Sequence, residues 1–296
     1  MSSMRKLALA ALLAVPLGGQ ALADQPLSVQ WEELTAGDFV KAIHQAKGTC
    51  ILPFGILEKH GQQLPLGTDL ISARYVSLAA ARQEPAVVFP AYYFGQIAEA
   101  RQQPGTIAYS RALQLELLQE TTDEMSRNGC KKIVIVNGHG GNEYLLPYFA
   151  QTQLQSPHDY VLYVFGLPEH DLPGRPKVVA PGGLHASEEE TSRTLIADPD
   201  AVKLDRANEE SGADQHRLHL PDSLYTGIYW YASYPNHYAG NAAAANKELG
   251  KFDMENWTGQ IVTALKAVKA DDVSLKLQNE YYEKSTHPMD VQPYKK

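Results

Sequence analysis

The 296-residue sequence predicts an α/β fold built around a mostly parallel sheet. Short apolar, β-branched runs alternate with segments of helical periodicity, the pattern of strand–helix–strand units. The strongest run, Ile133-Val134-Ile135-Val136, lacks polar alternation and suits a strand covered on both faces. No fixed-period repeat, low-complexity block or linker divides the chain, so a single domain over residues 24–296 is the simplest organisation.

Residues 1–23 stand apart from that domain. Arg5 and Lys6, an apolar run over 7–19, and Ala21-Leu22-Ala23 follow the order of a secretory signal peptide cleaved after Ala23. The run is too short for a membrane span, and no later stretch approaches the ~20 apolar residues required, so no membrane partner is expected. Loss of Arg5 and Lys6 takes the formal net charge from −8 to −10. An acidic chain without Lys/Arg clusters is a poor partner for nucleic acid. Export of this kind fits a bacterial periplasm.

Along the mature chain, residues 35–46 carry Phe39, Val40, Ile43 and Ala46 at helical spacing behind the caps Thr35 and Asp38. A buried strand starts at Cys50 and ends near 55–57. A helix over 70–82 and a second strand over 86–89, stopped by Pro90, come next. Residues 92–105 form a polar, Gln-rich loop. The helix over 110–125 has Leu113, Leu115, Leu117, Leu118 and Met125 on its apolar face and stops at Asn128-Gly129. Beyond the third strand, 143–154 is amphipathic, 160–165 is a fourth strand, and 167–183 is a Pro- and Gly-rich loop. The helix over 188–197 closes at Asp198-Pro199. Residues 201–250 are expected to be irregular, 257–270 a final helix, and 285–296 a polar, mobile tail. Cys50 and Cys130 each precede a strand and can bridge if those strands are neighbours, which the sequence leaves open. Two cysteines without C-x-x-C argue against a thiol metal site.

The chemistry gathers in three places. Glu58, His60 and Asp69 follow the first strand in a Gly- and Pro-rich segment. Glu58 and His60, two apart, share one side of an extended chain, and Asp69 lies at the N-terminus of the next helix. Carboxylate, imidazole and carboxylate are the ligands a first-row metal prefers. An N-cap Asp with two solvated loop residues is the ordinary alternative. His139 follows the strongest strand within Asn137-Gly138-His139-Gly140-Gly141-Asn142, where open parallel sheets place functional groups. The alternative there is a Gly-rich turn with an incidental histidine, and no G-x-G-x-x-G or Walker lysine supports a phosphate loop. His185 stands just before Glu188-Glu189-Glu190. The helix dipole accounts for glutamates in a first turn, but not for His185.

Taken in order, these clusters resemble the creatininase (creatinine amidohydrolase) family. Its members carry E-x-H-G-x-x-L-P-x-x-T-D, N-G-H-G-G-N and H-A-G-x-x-E-T-S. Here the motifs stand as Glu58, His60, Gly61, Leu64, Pro65, Thr68 and Asp69, then Asn137 to Asn142, then His185 to Ser192. Pro104-Gly105-Thr106 matches a further P-G-T element, and the resemblance covers about residues 30–200. It implies a three-layer α/β/α fold, a homo-oligomer (usually a hexamer), and a centre of two divalent ions, zinc or manganese with iron an option. By this resemblance Glu58, Asp69 and His139 hold one ion. His60, Asp69 and a further glutamate hold the other, and Asp69 bridges. In creatinine-hydrolysing members that glutamate lies two residues after the histidine matching His139. Here the position is Gly141, so Glu190 is the candidate ligand, with Glu188 behind it. His185 matches a histidine that shuttles protons to the leaving nitrogen, and Glu190 or Glu188 would position the water. Gln63, Gly141 and His237 are placed on the substrate side, Gln63 standing where a histidine is common.

The expected function is that of a periplasmic, metal-dependent amidohydrolase cleaving a C–N bond of a small linear or cyclic amide. Alternatives are the same centre acting on a peptide or an oxidised sugar ring, and a non-catalytic periplasmic metal- or solute-binding protein. The absence of internal duplication speaks against the last. His44, His158, His216, His219 and His287 are expected at the surface, and Tyr229-Trp230-Tyr231 either walls a pocket or belongs to the core.

Overall fold

A computed structural model of the chain describes residues 26–169, 172–221, 223–290 and 293. The expected signal peptide over 1–23 and most of the tail beyond Asp290 lie outside the described residues.

The parallel sheet expected from the sequence is present. Its strands are β1 (Thr49–Phe54), β2 (Val87–Val88), β3 (Lys132–Asn137) and β4 (Val161–Phe165), all parallel, in the order β2-β1-β3-β4. β1 and β3 pair along their whole length, from Thr49 opposite Lys132 to Phe54 opposite Asn137. Alternate residues of these strands feed two separate cores. Cys50, Leu52, Phe54, Ile133 and Ile135 pack against α1 (Ala36–Gln45), α3 (Arg111–Arg127) and α4 (Leu145–Thr152). Ile51, Val134 and Val136 pack on the other face against α2 (Thr68–Gln83), α5 (Glu188–Ala197) and, further along the chain, Met254, Trp257, Ile261 and Leu265. Helix, sheet and helix make the three layers. Burial on both faces explains why the strands show no polar alternation.

Local signals place most helix starts. The Thr35 hydroxyl accepts from Asp38 N–H to cap α1, and Ser110 does the same for Leu113 N–H at α3. The C-terminal third differs from expectation. A short α6 (Tyr229–Ser233) interrupts the irregular region, and α7 (Lys247–Ala270) begins ten residues before the expected start at Trp257. The Asn246 side chain caps it by accepting from Leu249 N–H at 3.0 Å. Its first turn looks unlike a buried helix because Gly250 is there to approach Ser192 of α5, where a Cβ would strike the carbonyl. A further helix, α8 (Ser274–Ser285), has one buried residue, Tyr282, too little apolar periodicity to announce itself.

The chain leaves β1 for β2 on one side and then crosses to β3 on the other. This reversal opens a crevice beyond the carboxyl ends of β1 and β3. At the opposite end of the same two strands, Cys50 and Cys130 form a disulfide, with Cα atoms 5.6 Å apart. The bridge closes a loop with a sequence separation of 80. Replacing both cysteines with alanine is expected to lower unfolding stability by about 4 kcal/mol on the loop-entropy model. Urea denaturation would show this as a lower midpoint, with a steeper slope as the uncrosslinked unfolded chain expands, and an unchanged midpoint would refute it.

Candidate metal centre

The segment 55–67 that leaves β1 folds back so that Glu58 N–H donates to Leu66 O at 3.0 Å. The first turn of α2 then lies across the ends of β1 and β3. Two glycines permit that approach: a Cβ on Gly55 would lie 2.8 Å from Leu70 N, and one on Gly138 2.7 Å from Asp69 O. Asp69 is thereby carried, fully buried, to the mouth of the crevice. Asn137 and Asn142 shape the loop after β3. The Asn137 side chain accepts from His139 N–H at 3.1 Å and donates to His139 O at 2.8 Å, and Asn142 Nδ2 donates to Asn137 Oδ1 at 3.2 Å.

Four of the expected site residues, Glu58, His60, Asp69 and His139, meet at one point. His60 Nε2 lies 3.1 Å from Asp69 Oδ1, and His139 Nδ1 lies 3.1 Å from Asp69 Oδ2 and 2.9 Å from Glu58 Oε1. One carboxylate is thus divided between two imidazoles. The other nitrogen of each ring is tied to a backbone carbonyl, which only accepts: His60 Nδ1–H donates to Glu58 O at 3.1 Å, and His139 Nε2–H to Gln96 O at 2.9 Å. Glu190 approaches from the first turn of α5, with Oε1 3.8 Å from His60 Nε2. Its Oε2 accepts from Ala186 N–H at 2.6 Å. His185 donates from Nε2 to Lys59 O at 2.8 Å, and its Nδ1 lies 3.9 Å from Glu190 Oε2.

Charge explains the protonation pattern. Burial alone would discharge His60, but Asp69, Glu190 and Glu58 overcome it and raise the imidazole to about 10. Burial likewise opposes a charge on His139, and Glu58 and Asp69 lift it well above the ordinary histidine value. For Asp69 burial works upward, yet His60 and His139 hold it far below the usual carboxylate range. His185 goes the other way: burial, reinforced by His60 and His237, pushes it down to about 4 and outweighs Glu58. It is neutral at pH 7.

Glu58 Oε1 and Asp69 Oδ2 are buried and have no hydrogen-bond partner among the described residues. Both lie within 3.1 Å of His139 Nδ1, but neither is in line with a ring N–H. Orphaned carboxylate oxygens beside imidazole nitrogens suit a divalent first-row ion. Two overlapping groups, Glu58/His60/Asp69 and His60/His185/Glu190, bring their ligand atoms within 4.8 Å of one another. The donor set fits the metals.

A cavity of about 480 Å³ opens above these groups, walled by Tyr144, Tyr225, Tyr229 and Trp230. Tyr229 and Trp230 therefore wall the pocket, while Tyr231 turns outward beneath Arg217, 4.8 Å from its ring. Three expected roles need correction. Glu188 faces away from the cavity, and its Oε2 accepts from Val179 N–H at 2.9 Å and Ala180 N–H at 2.8 Å, pinning the 167–183 loop. Gln63 does not reach the cavity either; its amide donates to Ala186 O at 2.8 Å and steadies the turn that carries His185. His237 does line the cavity, but both ring nitrogens are engaged within the protein. Trp230 Nε1–H donates to Nδ1 at 2.8 Å, and Nε2 meets Glu58 Oε2 in a very short contact. Burial, then His60, pushes His237 down to about 3, so it too is neutral.

Gly141 is on the wall as expected, in a crowded spot. A Cβ there would collide with His139 Nε2 and lie 3.1 Å from Glu99 Oε1 and 3.2 Å from Gln96 O. Gln96 is a contributor that sequence reasoning did not assign, and the bond from Trp230 to His237 is one it did not foresee, although Trp230 was a candidate for the pocket wall. Gln96 acts through its backbone carbonyl, which leaves no residue-type signal, and Trp230 meets His237 only through the fold of the 201–250 region.

The mycofactocin precursor peptide peptidase of Mycolicibacterium smegmatis is 30% identical over 171 residues, covering 56% of this chain and 64% of that protein. The match thus spans less than two thirds of the peptidase. The creatinine amidohydrolase of Pseudomonas putida is 28% identical over 180 residues, 54% of this chain and 69% of that protein. Among solved structures, a tryptophan-to-phenylalanine variant of a creatininase superposes with a TM-score of 0.71 at 21% identity, covering 82% of this chain and 100% of that one. A zinc–zinc form of another creatininase variant gives 0.68 at 23% identity, covering 82% and 99%. At these identities the structural likeness is one of fold. A family model described as creatininase, creatinine amidohydrolase, matches residues 32–265, and the chain belongs to that family.

Proposed function

We propose that the protein is an exported, metal-dependent amidohydrolase whose centre holds two divalent ions, zinc or manganese. The observation that carries this reading is the placing of Asp69 between His60 and His139, with its Oδ2 and Glu58 Oε1 left without a hydrogen-bond donor beside the His139 ring. Glu58, Asp69 and His139 would hold one ion, and His60, Asp69 and Glu190 the other. Bound there, such a pair supplies hydroxide at neutral pH and polarises an amide carbonyl.

The chain's own residues divide the remaining work. His60 and His139 each present one nitrogen to the centre because a carbonyl holds the other. Neutral His185 has Nδ1 free to accept a proton and return it to the leaving nitrogen, while Nε2–H stays on Lys59 O. Trp230 and Tyr229 shield the centre from water on one side. A small amide fits the cavity of about 480 Å³. A peptide substrate is the second reading, favoured by the peptidase relative and by Tyr144 and Tyr225, 79% and 75% exposed, which leave the mouth open. Export is supported by the signal-like residues 1–23 and by a disulfide that an oxidising compartment sustains. Assembly into a homo-oligomer fits the exposed Leu218, Leu220, Leu224 and Ile228.

Three outcomes test the reading. Asp69→Ala should reduce metal content from two ions per chain to one at most and bring turnover on a panel of cyclic amides, linear amides and short peptides to background. Elemental analysis showing two retained ions would reject the bridging role. Glu190→Gln should lose one ion and turnover together. Glu188→Ala should keep both ions and lose about 1–3 kcal/mol of stability, because it removes the charged acceptor shared by the Val179 and Ala180 amides. The reverse pattern would move the ligand to Glu188. Third, His60 and His139 are protonated at pH 7 without metal, so loading should release protons, up to about two per chain, and tighten as pH rises. Calorimetry in buffers of different ionisation enthalpy measures this, and zero release would count against both histidines as ligands. In the metal-free protein the sign reverses: His60, raised above 6.5, adds stability that is full below pH 6.5 and lost as pH passes through about 10.

A further inference from the structure

His237 is a buried histidine that the proposed chemistry leaves unused. Its backbone stands at φ +51°, a left-handed conformation that residues other than glycine seldom adopt. The turn around it is nonetheless well tied. His237 N–H donates to Tyr234 O at 2.9 Å, and two residues later Ala239 exchanges backbone hydrogen bonds with His185 at 3.0 and 3.1 Å.

The ring's partners fix its tautomer. An indole N–H can only donate, so Nδ1 of His237 accepts from Trp230 at 2.8 Å. The neutral ring then carries its proton on Nε2, which donates to Glu58 Oε2. This arrangement excludes two other roles. Nε2 has no lone pair to offer a metal while Trp230 holds Nδ1, so the grouping of Glu58, His185 and His237 is not a third ion site despite its compactness. Neither nitrogen is left for substrate. What the ring does is occupy one oxygen of Glu58 and leave the other, Oε1, facing His139 at 2.9 Å.

We infer that Trp230, His237 and Glu58 form a relay in which His237 is a positioning residue, restricting Glu58 to one ligand oxygen and tying it to the cavity wall. The inference rests on the two-ion reading above. Its consequence is selective: the ion among Glu58, Asp69 and His139 depends on the relay, and the ion among His60, Asp69 and Glu190 does not.

The test strips and reloads the wild-type protein, His237→Ala, His237→Gln and Trp230→Phe with zinc. Stoichiometry and the affinity of each ion are measured by competition with a chromophoric chelator. His237→Ala should weaken one of the two ions by about 10–100-fold, the usual effect of removing a ligand's hydrogen-bond partner, and leave the other unchanged. Trp230→Phe, which deletes only the indole donor, should weaken the same ion to a smaller degree. His237→Gln keeps an N–H donor and should recover part of the affinity. Circular dichroism checks the fold, and if His237→Ala does not fold, Trp230→Phe and His237→Gln carry the test. Variants that bind both ions as tightly as wild type overturn the relay alone, as does equal weakening of both ions. A wild-type protein that takes up fewer than two zinc ions overturns the two-ion reading and the relay with it.

Discussion

A single carboxylate, that of Asp69, decides where the other groups of the centre must be. Taking it out of water is costly unless it is matched by opposite charge and donors. The match comes from a hydrogen bond with His60 at one oxygen and from the charge of His139 beside the other, at the N-terminal end of a helix whose dipole favours an anion. These groups come from three chain segments that only the sheet order brings together. β1 delivers Glu58 and His60, α2 delivers Asp69, and β3 delivers His139. The two glycines under the first turn of α2 let the helix descend far enough for the contacts to form.

The two halves of the molecule are held by different forces. Around the sheet, cohesion is apolar: two cores of aliphatic and aromatic side chains, one on each face. The described parts of the segments over 167–183 and 201–245 that roof the crevice share one small apolar cluster, in which Ala207, Tyr238 and Ala242 pack with Leu64 and Ala186, and are otherwise fastened by polar links. Arg175 grips Asp253 through two hydrogen bonds of 2.7 Å and also reaches Glu189 at 2.9 Å. Lys59 pairs with Glu210, Glu188 holds two backbone amides, and Gln63 holds Ala186. Links of this sort fix a loop without filling a core. A roof fastened in this way can change its lining while the metal-binding end of the sheet stays put.

How much was legible in the sequence follows from the same division. The parallel sheet, its helices and the residues Glu58, His60, Asp69 and His139 could be read because each lies within a few residues of a strand end or helix start with strong local signals. Glu188 and Glu190 could not be separated, since both suit a first helical turn; only the orientation of α5 shows that Glu190 turns toward His60 and Glu188 toward the 179–180 amides. The link between His237 and Glu58 spans 179 residues, and no periodicity encodes it. Gln63 looked like a substrate contact because it occupies a motif position, whereas its amide serves a neighbouring turn. The disulfide became readable only once β1 and β3 were known to be neighbours. The early start of α7 was hidden by a glycine whose purpose is close helix packing.

Gly141 has a steric consequence for the centre. In creatinine-hydrolysing members of the family a glutamate is expected at this position, yet here the space belongs to the His139 ring, the Glu99 carboxylate and the Gln96 carbonyl. Restoring a side chain would displace the histidine it was meant to assist. A side chain at position 141 and the present seat of the His139 ring therefore exclude one another, so the glycine is part of what holds that imidazole in place.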